Sequence, residues 1–358
     1  MDILIGISVY LTENKREQNR IWIEKASSCG LKSIFTSLHI PEDDHAKYKD
    51  LLIELGTLAK ENDMELLADV SPLSLSYLGL TWETIGQLTN WGLTGIRADY
   101  GFSAEQIVQL SALMKVGMNA STVSHTELDE WISMGLNVRN VEAWHNFYPR
   151  PETGLDARFL SERNQFLKNK GLTTMAFIPG NLDLRGPVFA GLPTVEEHRS
   201  ASPTASAAEL MYSLYTDKVL IGDHTVTDST LQQLSSLVNG VILLKMKPVD
   251  QNDSLPILNE IHTNRMDPAR DVIRSVESRS YAQTGNGQIL PANQLERRTG
   301  AITLDNQLYG RYSGELQVTL TDLPKDERVN VIGYVENEDI PLLRQIRAGG
   351  KFTFIMEG

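Results

Sequence analysis

Four carboxylates and a cluster of arginines mark where this sequence could do chemistry. Asp69 stands near the end of the apolar run "ELLADV" and Asp99 closes "TGIRAD". Two carboxylates held close repel, which raises one pKa and leaves an acid beside a base. Arg97 shares strand parity with Asp99 and would alternatively neutralise it in a structural pair. Glu142 precedes, and Glu152 lies within, a stretch reading "WHNFYPRPETGL" (144–155), which gathers Trp, His, Asn, Tyr, Arg and Glu with two stiffening prolines. A plain surface loop has no need of that mixture. Between about 179 and 207 a second long segment holds Arg185, His198 and Arg199. An arginine fork matches phosphate oxygens, although an ordered surface loop would also account for these residues.

Such residues need a scaffold. Short β-rich runs at 3–10, 33–38, 65–71, 94–100, 116–122, 140–147, 173–179 and 218–223 alternate with amphipathic stretches of helical period. Eight strands each followed by a helix, with no hairpin signal and no G-x-G after the first strand, predict a (β/α)8 TIM-type barrel rather than an open doubly wound sheet. Barrels carry reactive groups at the C-terminal ends of their strands. In this sequence those ends read Ser8 and Tyr10; Thr36, Ser37 and His39; Asp69 and Ser71; Arg97 and Asp99; Asn119 and Ser121. Strand six would end in Glu142, His145 and Asn146, and strand eight in Asp223 and His224. Beyond residue 245 the pattern changes to a polar connector and short alternating strands. The expected division is a barrel over 1–245 and a small β-rich domain over 246–358.

The formal net charge of −13, without any Lys/Arg-rich stretch, argues against nucleic acid or an anionic membrane as partner. Cys29 is the lone cysteine and fits a reducing compartment. The first residues lack a basic n-region and an apolar h-region, so a cytoplasmic location is expected. No His-x-x-x-His, Cys-x-x-Cys or EF-hand spacing occurs, so no metal or other cofactor is expected.

The motifs "FTSLHIPE" (35–42), "LADVSP" (67–72), "GIRADYGF" (95–102), "MNAST" (118–122), "HNFYPRPETGL" (145–155), "RGP…GLPTVEEHR" (185–199) and "LYGRYSGELQ" (308–317) resemble a bacterial 6-phospho-N-acetylmuramidase family. The resemblance spans nearly the whole chain. It implies a TIM barrel joined to a cyclophilin-like β-barrel, and hydrolysis of the β-1,4 bond of N-acetylmuramic acid 6-phosphate–N-acetylglucosamine in cell-wall recycling. Under that reading Trp144 and Tyr148 would stack on sugar faces. His145 and Asn146 would bind hydroxyls or the N-acetyl group, and Arg150 or Arg185 an anion. The catalytic carboxylates would come from Asp69, Asp99, Glu142 and Glu152, with the pair left open, as is substrate-assisted attack. Ser8, Tyr10, Arg97, Asn119, Ser121, His198 and Arg311 complete the expected binding set.

Two competing readings stand beside this one. A Schiff-base lyase would need a lysine at a strand end, and Lys218 begins strand eight instead. A non-catalytic phospho-sugar sensor would bind without turnover.

Overall fold

Eight strands close into a parallel barrel in chain order: β1 Leu4–Ser8, β2 Ser33–Ser37, β3 Glu65–Val70, β4 Gly95–Ala98, β5 Lys115–Asn119, β6 Val141–Trp144, β7 Thr173–Ile178 and β8 Lys218–Ile221. β8 pairs back onto β1, with Leu4 opposite Lys218 and Ile7 opposite Ile221. The computed structural model describes residues 4–38, 48–98, 100–249, 255–278 and 288–356; Asp99 and His39 lie outside them.

Register fixes which side chains enter the barrel, because residues paired across parallel strands share a face. Phe35 is level with Leu67, Trp144 with Met175, and Phe177 with Leu220. These six form the buried interior cluster, with Phe147 packed against it. Following the same register upward brings Ser8, Ser37, Asp69, Arg97 and Asn119 to the inner face at the strand ends. Gly6 keeps the wall tight: a Cβ there would lie 2.3 Å from the Ser33 carbonyl oxygen and 2.4 Å from Leu220 Cδ2.

Helices pack outside: α1 Arg16–Ser28, α2 Tyr48–Glu61, α3 Pro72–Tyr77, α4 Gln87–Asn90, α5 Ala104–Leu113, α6 His125–Ser133, α7 Ala157–Asn169, α8 Pro203–Tyr212 and α9 Asp228–Val238. Capping boxes start several of them. Ser103 and Gln106 bond reciprocally before α5, and Ser124 and Glu127 before α6. The segment after Thr81 forms a 3-10 turn, Trp82–Thr84, and then the one-turn α4. α8 begins inside the segment read as a loop. Ser202 accepts from the Ala205 amide and Pro203 occupies the first turn, a start signal overlooked in the small residues around it.

The chain divides into two compact units, Met1–Val238 and Asn239–Gly358. The second is a nearly closed β-barrel built on seven strands: β9 Val241–Pro248, β10 His262–Thr263, β11 Val272–Arg274, β12 Ala301–Asp305, β13 Leu316–Thr319, β14 Val329–Val335 and β15 Lys351–Met356. They run in the order β10-β15-β9-β14-β12-β13-β11, and a bridge between Asn264 and Ser275 brings the two edges together. β9 pairs with both β15 and β14, so Met246 to Pro248, expected in a connector, belong to a central strand. Among the described residues, no helix is long and apolar enough to cross a membrane.

Candidate functional site at the barrel mouth

The barrel interior is charged at both ends, and the two ends do different work. Glu65, Lys115 and Lys218 are the first residues of their strands, and Glu142 is the second of β6. Lys218 Nζ lies 2.8 Å from Glu142 Oε2 and also binds Glu65; Lys115 reaches Glu65 at 2.5 Å and Glu142 at 3.2 Å. The Trp144 indole donates to Glu142 at 2.8 Å. Two cations balance two anions beneath the aromatic layer, which meets the rule that buried charge must be paired. Glu142 therefore sits at the start of a strand shorter than expected, not at the mouth. The mouth of β6 begins at His145. Lys218 is fully buried in this cluster, away from any position suited to a Schiff base.

At the opposite end, Arg97 Nη1 donates to Asp69 Oδ1 at 3.1 Å, and Arg97 Nη2 donates to Asn146 Oδ1. Asp69 and Arg97 are both buried. Gly117 makes room for this row: a Cβ there would lie 3.2 Å from Arg97 Cβ. The Asn146 carbonyl accepts from Thr194 Oγ1 at 2.8 Å, tying the end of β6 to the loop after β7.

His145 is fully buried between Ser121 Oγ, 2.9 Å from Nδ1, and Asn164 Oδ1, 3.0 Å from Nε2. Asn164 uses its amide nitrogen on the Leu214 carbonyl and Thr216 Oγ1, so its oxygen must face the histidine. The Nε2 proton is thereby fixed, and Nδ1 accepts from Ser121. Burial pushes the imidazole down to about 4, with Arg163 and Arg97 adding to the fall. Ser121 also bonds Tyr148, whose phenol is pushed up by partial burial. His145 thus supports Ser121 and Tyr148 from behind and does not itself meet solvent.

Across the mouth, the Arg185 guanidinium lies 4.1 Å from the Tyr10 ring centroid and 5.8 Å from that of Phe147. Tyr10 is buried, donates to the Gly222 carbonyl at 2.6 Å, and is pushed up to about 12 by that burial. His224 meets the Tyr10 ring edge-on at 5.2 Å between centroids. Asp223 accepts from the backbone amides of Gly180, Arg185 and Leu192 at 2.8 to 2.9 Å. These three bonds order the loop. Arg185 is half-buried and has no carboxylate partner among the described residues. Ser8 is buried at the inner face of β1, beside the Tyr10 hydroxyl.

The loop that carries Tyr148 and Arg150 is held from behind. Glu196 accepts from the amides of Glu152 and Gly154, each at 2.7 Å, and pairs with Arg199. Arg199 beside it, helped by those amides, holds the Glu196 carboxyl down at about 2. Arg199 also donates to the carbonyls of Tyr148, at 3.0 Å, and Gly191, at 3.1 Å. Glu152 has φ +71, and its side chain is exposed, as is that of Arg150. His198 is buried and bonded to Glu209 of α8 at 3.0 Å, so it serves the loop and is closed to a ligand. Asn119 accepts from the Ser121 amide at 3.0 Å, and no bond among the described residues uses its amide nitrogen. In the second unit, exposed Arg311 stacks on Tyr312, 4.9 Å from its centroid, and donates to its hydroxyl at 2.8 Å.

The structure therefore brings Asp69, Arg97, Asn119, Ser121, Asn146, Tyr148, Tyr10 and Arg185 to one barrel end. Three supporting residues escaped the sequence reading: Asn164, Glu196 and Thr194. Asn164 had a signal, being a polar residue on the buried face of α7 between Leu160 and Leu167.

Family comparison places this barrel among the glycosidases. The chain belongs to the 6-phospho-N-acetylmuramidase family, whose N-terminal model matches residues 5–236 and whose C-terminal model matches residues 242–355. A conserved protein of unknown function from a locus in Enterococcus faecalis is 40% identical over 99% of this chain and 97% of its own, with a TM-score of 0.87. An uncharacterized B. cereus protein is 28% identical over 99% of this chain and 100% of its own, with a TM-score of 0.80. A search of curated proteins returns no match.

Proposed function

We propose that this glycosidase hydrolyses the β-1,4 bond between N-acetylmuramic acid 6-phosphate and N-acetylglucosamine, in the cytoplasm, as a step of cell-wall recycling. The observation that carries the reading is Arg185: a half-buried guanidinium, seated on Tyr10 and Phe147 and free of any carboxylate among the described residues. Such a group is prepared for an external anion, and its fork suits a phosphate. It stands in the loop between β7 and β8, where barrels commonly hold phosphate.

In this reading Asp69, aligned by Arg97, faces the scissile sugar carbon. Asp99, which follows β4 directly in the sequence, is its partner and protonates the leaving oxygen. Water supplies the hydroxyl that replaces the bond to the leaving sugar, and its remaining proton passes to the carboxylate pair, restoring the one given to the leaving oxygen. Tyr148 and Asn146 hydrogen-bond the substrate's hydroxyl or N-acetyl groups.

The test is turnover of the disaccharide with and without its 6-phosphate, followed by mass spectrometry, in the wild type and Arg185→Ala. The expected result is cleavage of the phosphorylated form, with KM raised about 10- to 100-fold in the variant, as for a lost charge-assisted contact. Equal cleavage of both forms, or an unchanged KM in Arg185→Ala, would refute the phosphate assignment.

A further inference from the structure

An aromatic cleft of about 260 Å³ opens beside the mouth, between the loop leading from β4 into α5 and the loop leading from β5 into α6. Tyr100, Phe102 and Trp131 supply rings, with Met118 and Ile107 behind them. Trp82 braces Phe102, their centroids 6.1 Å apart. Arg163 of α7 fixes the far loop by donating to the carbonyls of Ala120, at 2.7 Å, and Val123. We propose that this cleft is a subsite for an uncharged N-acetylated sugar, the N-acetylglucosamine half of the substrate; this rests on the function proposed above.

Charge excludes the other half. Among the described residues the cleft is lined by no cation, and the one charged lining residue, Glu127, accepts from the Ser124 amide at 2.8 Å to cap α6. A phosphate or a lactyl carboxylate would meet a carboxylate there and no partner. A neutral pyranose instead offers C–H faces to aromatic rings and hydroxyls to Asn119 and Thr122, which line the same space. Asn119 also stands on the inner face at the end of β5, and its amide nitrogen is unused among the described residues, so it joins cleft to mouth.

Position supports the same division. In the closed ring, β4 and β5 lie opposite β8 and β1, where Tyr10 and Arg185 wait for an anion. Asp69 of β3 and Arg97 of β4 lie next to the cleft side of that ring. A disaccharide crossing the mouth would place its charged sugar toward Arg185 and its neutral sugar in the cleft. The volume is slightly below the roughly 300–1,000 Å³ of drug-sized sites, which suits one sugar ring and not two.

The experiment is saturation-transfer NMR with N-acetylglucosamine and, separately, N-acetylmuramic acid 6-phosphate, on the wild type, Trp131→Ala and Thr122→Trp. Thr122 is exposed, so the second variant fills the cleft without removing packing. N-acetylglucosamine is expected to bind the wild type and to bind both variants about tenfold more weakly, the scale of losing one ring contact. N-acetylmuramic acid 6-phosphate is expected to bind all three alike. No N-acetylglucosamine binding by the wild type, or binding unchanged in Thr122→Trp, overturns the proposal, even if Trp131→Ala is weakened. Binding to the cleft by a protein that fails to cleave the disaccharide would instead count against the proposed function alone.

Discussion

Acidification should act on this barrel through His145 in a way that can be separated from its carboxylates. In the folded chain the imidazole is neutral, donates from Nε2 to Asn164, accepts at Nδ1 from Ser121, and has Arg163 and Arg97 as its charged neighbours. Burial moves it from 6.5 to about 4. Between those values the unfolded chain binds a proton that the folded chain refuses, so stability must fall as pH falls. The contribution is fully present above pH 6.5 and is lost progressively down to about 4. At about 1.36 kcal/mol per pH unit, the loss on going from pH 7 to pH 4 is about 3 kcal/mol. That is a large part of the roughly 5–15 kcal/mol that holds a typical domain together. Urea unfolding of wild type and His145→Gln at pH 7, 6, 5 and 4 reads it as a difference, since the carboxylates titrate in both. The wild-type advantage should shrink by about 3 kcal/mol across the series. The His145 ring signals in NMR should titrate near 4. A difference that stays flat with pH, or a midpoint near 6.5, would refute the account of a neutral, doubly bonded imidazole.

Three further outcomes follow from the site. Asp69→Asn should lower kcat by about 10²–10⁴ with little change in KM, whereas a KM effect alone would make Asp69 a binding group. Glu142→Gln breaks a buried charge cluster and should cost about 3–5 kcal/mol in urea unfolding, while kcat per folded molecule is unchanged; an unaltered midpoint would show that the cluster is not tightly paired. Glu196→Gln weakens the hold on Arg199 and on the amides of Glu152 and Gly154, so KM should rise and limited proteolysis should increase at 150–154. Proteolysis indistinguishable from wild type would mean that Arg199 alone orders the loop.

The barrel was legible because its signal is repeated eight times: each short β-rich run recurs after an amphipathic one, and errors of a residue or two at the ends leave the order intact. The site is less forgiving. The residue pattern at 140–147 predicts one strand, but β6 ends at Trp144, and that difference moves Glu142 from the mouth to the charged layer below. The alanines, serine and threonine of α8 carry little periodic contrast, so its sequence resembles a loop, although Ser202-Pro203 marks its start. Met246 to Pro248 looked like a connector because a proline closes the strand, yet β9 is flanked on both sides by its sheet partners.

The two arginines of the loop after β7 show why pairing had to be seen. Arg185 and Arg199 are the same residue type in one segment, equally plausible as anion ligands by spacing. Glu196, three residues before Arg199, takes its charge, and the carbonyls of Gly191, Tyr148 and Arg150 take its remaining donors. Arg185 has aromatic rings where Arg199 has a carboxylate. Neutralising Arg199 would therefore disturb the geometry of Tyr148 and Arg150 before it disturbed any ligand. Removing Arg185 alters charge at the mouth while Asp223 still holds its backbone. Arg185 is thus the position at which a change in affinity reports on phosphate recognition and not on the loop.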